Sequence, residues 1–109
     1  MLVGIDVDPA EVRSQLGTTT GGISGPALKP IALSMVRRTS KVVQIPVIGV
    51  GGISSLHDAL SYFMVGARAI QIGVATYVDP HLPLEIIDGL EKYKNRYNLD
   101  SLDAIVGLV

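Results

Sequence analysis

At 109 residues the chain has room for one domain, spanning 1–109. Nine Lys and Arg against ten Asp and Glu leave a net charge of −1, and the longest basic run is the pair Arg37-Arg38, which argues against nucleic acid or an anionic membrane as partner. The absence of cysteine excludes disulfides, thiolate metal sites and a cysteine nucleophile within these residues; no apolar run nears the ~18 residues of a membrane span, so a cytoplasmic setting is expected.

In chain order, residues 1–7 read as a strand. Asp6 and Asp8 alternate with Ile5 and Val7, placing both carboxylates on one face, where a polar strand end competes with an acid–base role. Residues 8–25 are polar and turn-rich, ending in "GTTTGGISG", and suit an ordered loop. From Pro26 the spacing turns helical, with Ala27, Leu28, Ile31, Met35 and Val36 near one face and a fade near Val42. A strand is expected over 44–50, then a helix from about 55 to 65. Ser54 or Ser55 caps that helix, Leu56, Ala59, Leu60, Phe63 and Met64 form its apolar face, and Gly66 stops it. A second buried strand covers 69–75, a helix follows behind Pro80 and Pro83, and a short final helix is capped by Asp100 or Ser101.

Alternating βα units with continuous apolar strands imply a parallel sheet, as in doubly wound folds and (β/α)8 barrels. The glycines bear on function. Gly51-Gly52 closes one strand and Gly73 lies near the end of the next, each where a strand hands over to a loop and helix. Bare backbone there lets a phosphate approach main-chain N–H groups, and Val74 could add its own N–H whatever its side chain. "GVGGIS" is not the dinucleotide fingerprint, because the third glycine is missing. A turn role explains any one of these glycines alone.

Three stretches together, "TGGISGPALKPIAL", "IPVIGVGGISS" and "AIQIGVATY", resemble the C-terminal part of dihydroorotate dehydrogenases. The closing "EIIDGLEKYKNRYNLDSLDAIVGLV" is similar to that family's terminal helices. The resemblance covers essentially the whole chain and is nearer to the cytosolic branch that pairs with an iron–sulfur flavoprotein electron-transfer subunit and reduces NAD. It implies an α/β fold, the sixth to eighth strands of a (β/α)8 TIM barrel, and FMN as cofactor. It places FMN contacts on Gly25, Gly51, Gly52, Gly73 and Val74, the last standing where the family usually has threonine. The complete enzyme would oxidise dihydroorotate to orotate, a base taking a proton while hydride passes to FMN. By the same resemblance the base, the flavin-side lysine and the substrate-holding asparagines belong upstream, so no catalytic residue is expected here. The chain is expected to be part of a longer protein, inactive alone. Three strands cannot close a barrel, so an oligomer or an aggregation-prone fragment is expected. Two alternatives stand beside this reading: a dihydropyrimidine dehydrogenase-like barrel fragment, and a non-enzymatic, self-assembling phosphate-binding half-barrel.

Other polar residues suggest less. His57 and His81 are isolated and fit no metal-ligand spacing. Lys29 could lean toward a phosphate or simply be solvated, and Thr18, Thr19, Thr20 and Ser24 could serve a cofactor or ordinary turns. The four tyrosines form no stacking pattern.

Overall fold

A computed structural model describes residues 15–109. The expected strand over 1–7, with Asp6 and Asp8, lies outside these residues. Among the described residues the order is a single 3₁₀ turn (Pro26–Leu28), α1 (Lys29–Ser40), β1 (Ile48–Val50), α2 (Leu56–Met64), β2 (Ala69–Gln71), α3 (Ala75–Val78), α4 (Leu82–Arg96) and a final 3₁₀ turn (Leu102–Ile105). β1 and β2 are parallel, with Ile48 opposite Ala69 and Val50 opposite Gln71, and α2 is their crossover.

The ends of α2 show how local sequence sets the elements. The Ser55 side chain accepts from the Asp58 N–H at 3.2 Å, satisfying a first-turn donor, and the acidic Asp58 suits the positive end of the helix. At the other end Gly66 takes φ 114°; its N–H reaches Phe63 O at 2.9 Å, and the Ala67 N–H reaches Tyr62 O at 3.0 Å. That double closure turns the chain straight into β2. The Ser40 hydroxyl, at the end of α1, donates to Val65 O at 3.1 Å and ties the two helix ends together.

The core is built from Ala32 and Val36 of α1, Ile53, Ala59 and Tyr62 of α2 and its entry, Ala67, and Leu82 and Ile86 of α4. Ile31 and Met35, expected on the buried face of α1, are 60% and 62% exposed. The face that packs is Leu28, Ala32 and Val36, a strict four-residue spacing against β1 and α2. Residue alternation splits the small sheet. Gly49 and Ile70 face the helices, whereas Ile48 and Val50, 55% and 52% exposed, stand with Ala69 and Gln71 on an open face.

Both strands are shorter than the expected 44–50 and 69–75. The second ends at Gln71 because the next turn closes on itself: the Thr76 N–H and hydroxyl both bond Gly73 O, at 3.0 and 2.8 Å. Ala75 therefore begins a helix instead of ending a strand.

Candidate functional site

Three turns converge beyond the C-terminal ends of β1 and β2. The first is Ser24-Gly25-Pro26, the second Gly51-Gly52, the third Gly73-Val74. Gly25, Gly51, Gly52, Gly73 and Val74, drawn from all three, line one concave pocket of about 200 Å³. Gly25, Gly52 and Val74 also border an adjoining, mostly apolar cavity of about 400 Å³ that reaches Ala75, Val78 and Leu82.

The glycines are bare for different reasons. Gly49 lies outside the pocket: a Cβ there would sit 2.4 Å from Tyr62 Cδ1, so it is a packing glycine. Gly52 has φ 66°, and a Cβ would fall 2.8 Å from Gly25 O and 2.9 Å from Lys29 N, so two turns touch backbone to backbone. Gly25 takes φ 97°, an angle that itself favours glycine, whereas Gly73 has no such demand; a Cβ on either would meet nothing within 4 Å. Their emptiness faces space a ligand could fill.

Polarity follows from the hydrogen bonds. Gly25 O accepts from the Leu28 N–H at 3.0 Å, Gly73 O from Thr76, and Val74 O from the Tyr77 N–H at 3.0 Å. Gly51 O accepts from the Tyr62 hydroxyl at 2.6 Å. The protein thus satisfies four of the five carbonyls. Among the described residues no hydrogen bond engages the N–H of Gly52, Gly73 or Val74. A rim with most of its acceptors bonded and three donors left over favours an anion.

Two residues that sequence reasoning passed over support this rim. Tyr62 is fully buried; burial first, and the nearby Asp58 charge second, raise its pKa, so it stays a hydroxyl donor to Gly51. Asp58 is 6% exposed and accepts from Lys29 Nζ at 2.5 Å, and from Ser54 N and Oγ at 3.0 and 3.1 Å. Burial alone would raise its pKa; the Lys29 ammonium and the bonds from Ser54 and Ser55 outweigh that and hold it at about 2. The Ser55-x-x-Asp58 spacing was the available signal, since it is a helix-start pattern whose acid turns back toward the preceding backbone. Tyr62 carried no comparable signal. Lys29 pairs with Asp58 and lines neither pocket. His57 and His81 are exposed, and among the described residues no His, Asp and Glu cluster could hold a metal.

A small α/β unit with parallel strands, carrying its candidate site on the turns beyond their C-terminal ends, has the character of part of a βα barrel. The family model of dihydroorotate dehydrogenase matches residues 2–93, and the chain belongs to that family. It is 46% identical over 105 residues to the catalytic subunit of dihydroorotate dehydrogenase B (NAD(+)) of Porphyromonas gingivalis, covering 96% of this chain and 34% of that protein. The Bacteroides fragilis counterpart is 46% identical over 106 residues, covering 97% and 35%. The crystal structure of a dihydroorotate dehydrogenase from Eimeria tenella, in complex with ferulenol, superposes with a TM-score of 0.73 at 25% identity, over 98% of this chain and 29% of that one. The chain spans about a third of the length of the curated relatives it matches.

Proposed function

We propose that the chain is the C-terminal segment of a dihydroorotate dehydrogenase, contributing strands six to eight of the barrel as one unit over 1–109, and that it holds the FMN phosphate. The observation that carries this reading is the pocket lined by Gly25, Gly51, Gly52, Gly73 and Val74, with four of their five carbonyls hydrogen-bonded within the protein and the N–H groups of Gly52, Gly73 and Val74 left over. The residues fit a phosphate: open space at Gly25 and Gly73 admits its bulk, and main-chain donors match its oxygens. Val74 serves through its N–H, so the threonine usual in the family is not required there. When bound, FMN supplies the acceptor for hydride from dihydroorotate in pyrimidine biosynthesis. On this reading the general base comes from elsewhere in the whole protein, to which the reaction belongs.

The relatives' designation as catalytic subunits of an NAD(+)-linked enzyme supports an iron–sulfur flavoprotein subunit as electron-transfer partner. No described helix is long and apolar enough to cross a membrane, which fits a cytoplasmic flavoprotein. The apolar open face of the sheet supports association into an oligomer.

The test is an FMN titration of the purified chain, followed by flavin fluorescence. Saturable binding that disappears in Gly51→Glu, with no flavin reduction on adding dihydroorotate, is the expected result. No saturable binding, or binding indifferent to Gly51→Glu, counts against the phosphate site.

A further inference from the structure

We infer that Lys29 and Asp58 are a positioning pair, setting the spacing between the Gly25 turn and the Gly51-Gly52 turn without touching the ligand. The inference rests on the phosphate-binding reading and deepens it. Lys29 opens α1 just after the Gly25 turn, and Asp58 lies in the first turn of α2 just after the Gly51-Gly52 turn. The two carboxylate oxygens divide the work. Oδ1 takes the Lys29 ammonium at 2.5 Å, and Oδ2 takes Ser54 N and Oγ at 3.0 and 3.1 Å. One side chain therefore staples the segment after each turn, where the backbones of Gly52, Gly25 and Lys29 already touch.

The side chains of Asp58 and Lys29 are 8% and 30% exposed. A charge stripped of its partner at such depth is costly, so the pair holds one geometry. Its charges cancel, and the ammonium is committed to Asp58. What it contributes to the rim is distance.

This separates it from the simpler idea that Lys29 binds the phosphate. If it did, Asp58→Asn would free the ammonium and tighten FMN. A positioning pair predicts the opposite sign. The experiment titrates FMN and riboflavin, which lacks the phosphate, into the full chain and into Lys29→Met, Asp58→Asn, Lys29→Arg and the Lys29→Met/Asp58→Asn double variant. Both single neutral variants should weaken FMN roughly tenfold or more, as small misplacements of binding groups do, with riboflavin little changed. Lys29→Arg should restore most of the affinity, and the double variant should be no worse than either single. Tighter FMN in Asp58→Asn overturns the proposal, as does a parallel loss of FMN and riboflavin or no change at all.

If the unmodified chain does not prefer FMN to riboflavin, the phosphate reading fails, and amide hydrogen exchange then reads the positioning separately. Lys29→Met and Asp58→Asn should speed exchange at the Leu28 and Ser54 N–H and spare Ala59 and Ala67. Unchanged exchange at Leu28 and Ser54 overturns the positioning pair itself.

Discussion

Gly49→Ala isolates the reason for the glycine in the middle of β1. The backbone there is an ordinary strand, so alanine on its own would stabilise by about 0.4–1 kcal/mol through the unfolded chain. Against that, the new methyl would sit 2.4 Å from Tyr62 Cδ1 and 3.3 Å from Ala67 Cβ. Van der Waals contact needs more than an ångström of retreat from the ring. Tyr62 has nowhere to go: it is fully buried, and its hydroxyl is held at 2.6 Å by Gly51 O. Overpacking of this kind costs about 1–3 kcal/mol, and losing the hydroxyl bond adds about 1. The expected net destabilisation is about 1–3.5 kcal/mol, read as a lower midpoint at unchanged slope in urea unfolding followed by circular dichroism. Tyr62→Leu removes the ring, and in that background Gly49→Ala should be neutral or stabilising. A single variant within about 0.5 kcal/mol of the parent, or an equal penalty in both backgrounds, would refute the packing account.

Acid titration gives a second expectation. The folded Asp58 carboxyl sits at about 2 instead of 3.8, and at about 1.4 kcal/mol per pH unit this corresponds to about 2 kcal/mol of folding stability. Because the folded pKa is depressed, that stability is present above about pH 4 and lost as pH falls toward 2. Asp58→Asn should flatten this part of the stability–pH curve, and an unaltered curve would deny the pair its energetic role. Gly52→Ala and Gly73→Ala should diverge: the first forces a Cβ into backbone at φ 66° and should cost about 2 kcal/mol or more; the second meets open space and should leave stability nearly unchanged while weakening FMN. Val50→Lys on the open sheet face should reduce self-association in analytical ultracentrifugation with little loss of stability, since its side chain already meets solvent.

Much of the frame was legible because its signals are local. Ser55, Gly66 and Ser101 mark element ends through their own hydrogen bonds or backbone angles, and all three act where the sequence puts them. Strand lengths were overestimated because apolar runs do not reveal where pairing starts and stops; for β2 the Gly73 turn, closed by Thr76, decides the end. On α1 and its entry Leu28 and Val36 pack as expected, whereas Ala27, Ile31 and Met35 are exposed, for a related reason. Ile31 and Met35 are as apolar as Val36, and periodicity cannot say which stripe finds a neighbour. At the site, five glycine and valine positions legible in the sequence, from three distant turns, border one pocket. Asp58 and Tyr62 were passed over because their roles depend on residues 29 and 11 positions away, at Lys29 and Gly51. Such pairings arise only from tertiary packing.

The pocket's construction has a consequence for proton linkage. Its walls are Ile23, Ser24, Gly25, Leu28, Val50, Gly51, Gly52, Ile53, Gln71, Gly73 and Val74, and none of these side chains titrates near neutrality. Fixed peptide dipoles neither gain nor lose a proton as an anion arrives. On the proposed phosphate reading, these walls add no pH dependence of their own between about pH 5 and 8, and what they see change is the ligand, whose phosphate takes its second negative charge near pH ~6. On that reading the described walls would carry the same protons apo and loaded, and proton release or uptake on binding would report the ligand's own ionisation.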